Sequence, residues 1–162
     1  MKFRRGTAML TAVASVLIMT GCSSEEAKTN ENGDTVITIG RKTAPNSKLP
    51  EGDSYSNNAY TRLIQERLGI ELESTFEAHG EDYDRQVSLA IASGELPDTM
   101  IVGSRDELEE LVNNDLVEDL TEVFEEHVDD FLKDIYDSFD GIQLEAATFD
   151  DRLMAIPSTS DD

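Results

Sequence analysis

The sequence predicts an α/β fold, an open parallel sheet with helices on both faces. Three observations carry this. Strand-like and helix-period runs alternate from Thr35 to Val112. Glycines stand where helices should stop, at Gly69 and Gly94. The third strand-like run, Thr99–Gly103, is short and apolar, as a central parallel strand should be.

The chain opens with a basic head, Lys2, Arg4 and Arg5. Ala8 to Met19 is then almost wholly apolar. That is too short to cross a bilayer, which takes ~20 apolar residues. Small residues Thr20 and Gly21 precede Cys22, the one cysteine among 162 residues. A basic head, a short apolar core and small residues describe a secretory signal, here residues 1–21. The stretch "LIMTGCSS" resembles the lipobox of bacterial lipoproteins, in which the cysteine becomes the N-terminus and carries the lipid. The resemblance implies that Cys22 carries a diacylglyceryl group, and stable anchoring takes more than one acyl chain. A lone cysteine has no partner for an internal disulfide, and lipidation accounts for it.

Residues 22–34 contain no large apolar side chain. Such a segment buries too little surface to offset its ordering entropy, so it reads as a flexible tether. Removing the signal removes three basic residues and no acidic one. The mature chain then carries 10 basic and 35 acidic side chains, a formal charge of −25. That argues against nucleic acid and bare anionic membrane as partners, because both attract basic patches.

The folded part runs from residue 35 to 162. "TVITIG", Thr35–Gly40, alternates β-branched residues and reads as a strand. A polar loop from Arg41 to Tyr55 follows, with Pro45, Pro50 and Gly52. Tyr60, Leu63, Ile64 and Leu68 recur at helical spacing. "IELESTFE" is the second strand, and Tyr83, Val87, Ala90 and Ile91 mark the second helix. After the third strand, Ser104 and Glu107 read as a capping box, with Leu108, Leu111 and Val112 as the buried face. Leu120, Val123, Phe124, Val128, Phe131, Leu132, Ile135 and Phe139 form an amphipathic stretch, one helix or two with a break near Asp129–Asp130. Two apolar runs around Asp150–Asp151 read as a hairpin.

In open parallel sheets ligands bind beyond the carboxyl ends of the strands, where strand order reverses. With the order 2-1-3 the crevice lies between Gly40–Arg41 and Gly103–Ser104. The long loop after the first strand overhangs it, and loops above ~12 residues in a compact domain are often functional.

Catalytic and metal signatures are absent from the sequence. The one cysteine belongs to the lipobox, which excludes a Cys-His pair. His79 and His127 are far apart, with no H-E-x-x-H between them. The acidic pairs Asp82/Asp84, Glu109/Glu110 and Asp129/Asp130 do not follow calcium-loop spacing. The expectation is a binding protein, not an enzyme, with no cofactor and no metal.

"IASGELPDTMIVGS", Ile91–Ser104, resembles the stretch of extracellular solute-binding proteins where a helix ends at Ser-Gly and a Pro-Asp turn leads into the third strand. "LVNNDLVEDLTEVFEEH" is similar to that family's next segment. "FDDRLMAIPS" is similar to its "G-K-x-Y-A-I-P" hairpin, with Asp151, Arg152 and Met154 where Gly, Lys and Tyr are common. Within family 1 of these proteins the chain looks closest to the LplA-like lipoproteins of Gram-positive bacteria.

The resemblance implies a periplasmic-binding-protein-like fold, of which residues 35–162 are a partial N-terminal lobe. It implies a second lobe, so the expectation is a truncated chain, with a complete small lipoprotein as the alternative. It implies a lipid-anchored component of an ABC importer on the outer face of the cell membrane. Its expected partners are an oligosaccharide or sugar derivative and the permease subunits. A peptide or another small polar solute is the alternative cargo, and a structural or adhesive surface lipoprotein is the alternative role. The candidate ligand contacts are Arg41, Asn46, Tyr55, Ser104 and Ser158. Arg41 offers paired guanidinium donors, Asn46 both donates and accepts, and Tyr55 offers a ring. Ser104 opens a helix whose first N–H groups are free. Ser158 follows the hairpin that, by resemblance, borders the cleft.

Overall fold

A computed structural model of the chain describes residues 27–44 and 48–158. The signal, Cys22 and Asn46 lie outside the described residues. Strands and helices alternate as β1 (Thr35–Lys42), α1 (Ala59–Leu68), β2 (Ile70–Ala78), α2 (Gly80–Ser93), β3 (Thr99–Met100) and α3 (Arg105–Asn113). β1 lies between β2 and β3 and runs parallel to both, in the order β2-β1-β3. This is the expected α/β architecture, and its order meets the 2-1-3 condition on which the crevice between β1 and β3 depends.

α1 begins where Asn58 accepts hydrogen bonds from the Tyr60 and Thr61 N–H groups and the Thr61 hydroxyl accepts from Asn58 N–H. It stops at Gly69, whose φ of 63° is the left-handed conformation that glycine adopts at least cost. Residues 28–34, read from the sequence as part of the tether, are hydrogen-bonded to the start of the sheet. Lys28 C=O accepts from Val36 N–H, Asn30 donates to Glu71, and Gln65 donates to Asp34.

The β1–β2 register carries a bulge. Ile39 pairs with Ser74, but Gly40 pairs with Phe76, which leaves Thr75 over. A bulge reverses which side of the sheet the following residues face. Ile70, Leu72 and Ser74 therefore share a side with Ile37 and Ile39, along which α1 runs. Phe76 and Ala78 turn to the opposite side, where they join Tyr83, Val87 and Ile91 of α2 and Leu111 of α3. Gly40 lies beneath the Phe76 ring. A Cβ built there would stand 2.5 Å from Phe76 Cζ and 3.0 Å from Met100 Cβ, so no side chain fits.

β1 runs two residues past the expected Gly40, so Arg41 is in the strand and not the loop. β3 is shorter than the expected Thr99–Gly103, because the strands part after the Gly40–Met100 pair. The Pro-Asp turn before β3 is fastened to β1. Asp98 accepts from Thr38 N–H at 2.7 Å and from the Thr38 hydroxyl at 2.6 Å, and Asp98 N–H donates back at 2.9 Å. Those bonds hold the Asp98 carboxyl below its usual range.

Only half of the capping box at Ser104 is formed. The Ser104 hydroxyl accepts from Glu107 N–H, while the Glu107 carboxylate turns to Gly103 N–H at 2.8 Å. Leu108 and Leu111 are buried as expected, and Val112 is half-buried.

The amphipathic stretch forms two helices, α4 (Thr121–His127) and α5 (Asp130–Asp137), broken where Asp129 caps Leu132 N–H. A short α6 (Ile142–Ala146) leads into the hairpin of β4 (Thr148–Phe149) and β5 (Arg152–Leu153). Asp150 and Asp151 both have positive φ, 50° and 62°, as a two-residue hairpin turn demands. Phe124, Tyr136, Ala147, Leu153 and Met154 bury against Leu108 of α3. The buried aromatic of α5 is Tyr136, not Phe131 or Phe139, which are 76% and 49% exposed. Tyr136 meets Phe124 at 5.8 Å between ring centres and donates to Pro157 C=O at 2.7 Å. That backbone acceptor explains the choice: a buried ring with a hydroxyl needs one, and the chain after the hairpin supplies it.

Candidate functional site

The carboxyl ends of β1 and β3 form the site that the strand order defines. β1 and β3 diverge there around Tyr83, which is 1% exposed. Its hydroxyl donates to Gly40 C=O at 3.1 Å and accepts from Ile101 N–H at 2.9 Å. Burial pushes the Tyr83 hydroxyl above its ordinary pKa. Lys42, the last residue of β1, carries its ammonium 5.7 Å from the centre of the Tyr83 ring. Lys42, Tyr83, Ile101, Gly103 and Glu107 line a shallow depression of about 10 Å³, room for one water. Its walls offer a cationic donor, Lys42, and two carboxylate acceptors, Asp84 and Glu107.

Behind this depression, on the α1 side, lies a second polar group. Arg41 and Glu77 are register partners at the ends of β1 and β2. Arg41 Nε donates to the Ser74 hydroxyl at 3.1 Å and stands 3.8 Å from the Glu77 carboxylate. Glu77 accepts from Ser74 at 2.8 Å and from Ser56 in the loop. The bulge makes this possible. Ser74 and Glu77 are three apart and would face opposite sides of a regular strand, but the extra Thr75 puts them on one side. Arg41 Nη2 is buried and has no hydrogen-bond partner among the described residues.

Of the other sequence candidates, Tyr55 closes the loop on itself. Its hydroxyl accepts from Ala44 N–H at 3.1 Å and donates to Ala44 C=O at 2.9 Å. Ser104 caps α3 at the edge of the depression, beside Gly103. Ser158 is exposed and follows Pro157, whose carbonyl is held by Tyr136 of α5. Arg41 and the loop through Ser56 thus share the polar group on the α1 side of the sheet, Ser104 stands at the depression on the α2 side, and Ser158 belongs to the second helical cluster. Sequence reasoning did not single out Lys42 and Glu107, which line the depression. It assigned Glu107 to a capping box and ended the strand before Lys42. A signal was present: Thr38, Gly40 and Lys42 alternate onto one side of β1.

A larger cavity of about 160 Å³ lies elsewhere, between Thr121, Phe124, Glu125, Leu144, Thr148, Asp151 and Leu153. It is walled by core residues of the helical cluster and has no lysine or arginine in its lining. The strand ends carry the more versatile donor and acceptor set despite the smaller volume.

The fold is periplasmic-binding-protein-like. Two solved structures of FusA, an ABC-transporter substrate binding protein of S.pneumoniae, match it. The EF-hand mutant in complex with fructo-nystose matches with a TM-score of 0.55 and 16% identity. The complex with kestose matches with a TM-score of 0.53, also at 16% identity. Each match covers 74% of this chain and 23% of the FusA chain, so this chain spans about a quarter of that length. No protein-family model matches the sequence, and no curated protein matches it.

Proposed function

We propose that this chain is part of a lipid-anchored solute-binding component of an ABC importer, and that its solute is an oligosaccharide. The observation that carries the reading is the β2-β1-β3 sheet, beyond whose carboxyl ends Lys42 of β1 and Glu107 of α3 line one depression. An ammonium donor beside a carboxylate acceptor suits sugar hydroxyls, which do both. The likeness in fold to two sugar-complexed structures of one substrate-binding protein supports the same class of cargo. Residues 1–21 act as the export signal, Cys22 as the lipidated N-terminus, and the protein sits on the outer face of the membrane facing its permease.

The chemistry of such a protein is reversible binding. Incubating the full-length protein with kestose and nystose should return both sugars unchanged, with saturable binding by calorimetry. Hydrolysed or transferred sugar would overturn the reading in favour of an enzyme. Fatty-acid labelling of cells tests the anchor: label on the wild type and none on Cys22→Ala is the expected result.

A further inference from the structure

We propose that the Tyr83 hydroxyl is the wedge that opens the crevice between β1 and β3, which makes Tyr83 a positioning residue of the binding site. The inference rests on the solute-binding reading for its purpose, but not for its geometry. In a parallel ladder a carbonyl receives the N–H one residue beyond its partner. Gly40 is paired with Met100, so the next bond would run from Ile101 N–H to Gly40 C=O. Those are the two groups that the Tyr83 hydroxyl takes, one as donor and one as acceptor. The hydroxyl thus bridges the two groups of that ladder position at the point where the pairing ends. β3 stops at Met100, and the chain from Ile101 to Gly103 swings away to reach α3.

The sequence pays attention to this spot in three ways. Gly40 has no side chain, so Phe76 covers it and meets the Tyr83 ring at a tilt of 52°, with centres 5.6 Å apart. That contact, with burial, fixes the ring. The bulge at Thr75 is what turns Phe76 to this side. Lys42 rests over the same ring, so the residue that parts the strands also stations the ammonium at the mouth of the gap. Without the hydroxyl, both backbone groups keep their hydrogen-bonding need, and buried backbone groups left unpaired are rare. The direct bond then satisfies both at once, and the crevice closes.

The test is Tyr83→Phe in the full-length protein, which keeps the ring, its packing and the Lys42 contact. Two measurements are read. The first is the through-hydrogen-bond NMR coupling between Ile101 N and the Gly40 carbonyl carbon. It should be absent in the wild type and present in the variant. The second is kestose affinity, which should fall about tenfold or more, the scale of one well-placed hydrogen-bonded contact. Failure of the coupling to appear in the variant overturns the wedge. A coupling that appears with kestose affinity unchanged overturns its role in positioning the site. A wild type that binds neither kestose nor nystose counts against the oligosaccharide reading, and the coupling still decides the wedge.

Discussion

α1 and α2 are the two crossover helices of one small sheet, packed on opposite sides of it, and they differ sharply in burial. Both have an apolar stripe at helical spacing, and both end on a left-handed glycine, Gly69 and Gly94. α2 buries Tyr83, Val87, Ala90 and Ile91. α1 buries no residue, and Tyr60 and Leu68 remain 80% and 66% exposed. The difference lies in what covers each helix. Phe76, Met100, Leu111 and Val102 close over α2. α1 meets mainly β2, whose side there is Ile70, Leu72 and Ser74. Periodicity shows which side of a helix is apolar. Burial depends on whether a third element arrives.

The largest expected effect tests that contrast directly. Leu111→Ala should cost about 3 kcal/mol, the usual loss for a buried leucine in a well-packed cluster. Leu68→Ala should stay within about 0.5 kcal/mol, as at most exposed positions. Denaturant unfolding of the two variants measures both. Equal losses would mean that α1 is covered as thoroughly as α2.

A smaller effect concerns the clasp between β1 and the Pro-Asp turn. Asp98→Ala removes hydrogen bonds to Thr38 and should cost about 1 kcal/mol, modest because the site is solvent-accessible. Its pH dependence has a definite sign. The Thr38 bonds lower the Asp98 pKa from 3.8, so the folded state favours the ionised carboxylate. That contribution is fully present above pH 3.8 and is lost as pH falls through the lower folded value. The stability gap between wild type and Asp98→Asn should therefore narrow as pH drops below about 4. A gap that widens in acid would contradict the bonding described.

An effect of similar size sharpens the comparison from the other direction. Gly69→Ala and Gly94→Ala should each cost about 1 kcal/mol, because both put a Cβ into the left-handed region. No atom crowds a Cβ at Gly94, and at Gly69 the nearest is Asp34 Oδ1 at 3.7 Å. The costs should match although one helix is buried and the other is not, since a cap acts locally. Thermal unfolding compares them.

Much of this was legible in the sequence for physical reasons. Right-handed crossovers put helices on both faces of a parallel sheet, while the 2-1-3 order entered the sequence reading only as a condition that the structure meets. The buried face of α2 was read residue by residue, because four apolar positions recur on one stripe among polar ones. The failures were non-local. Phe131 and Phe139 look like core residues, but Tyr136 takes that place because Pro157 C=O lies within reach of its hydroxyl. The length of β3 could not be read because it is set by a hydroxyl from α2. Lys42 escaped notice because Gly40 looked like the end of its strand. The bulge at Thr75, which brings Ser74 beside Glu77 and Phe76 over Gly40, leaves no local mark in "IELESTFE".

The central claim is that the ends of β1 and β3 face the solute. Titrating kestose into isotopically labelled full-length protein, with backbone amide shifts followed residue by residue, tests it most directly. The largest saturable changes should fall on Lys42, Ile101, Gly103 and Glu107, with smaller ones at Arg41 and Tyr55. Changes centred on Phe124, Leu144 and Leu153 around the larger cavity, with the strand ends silent, would contradict it.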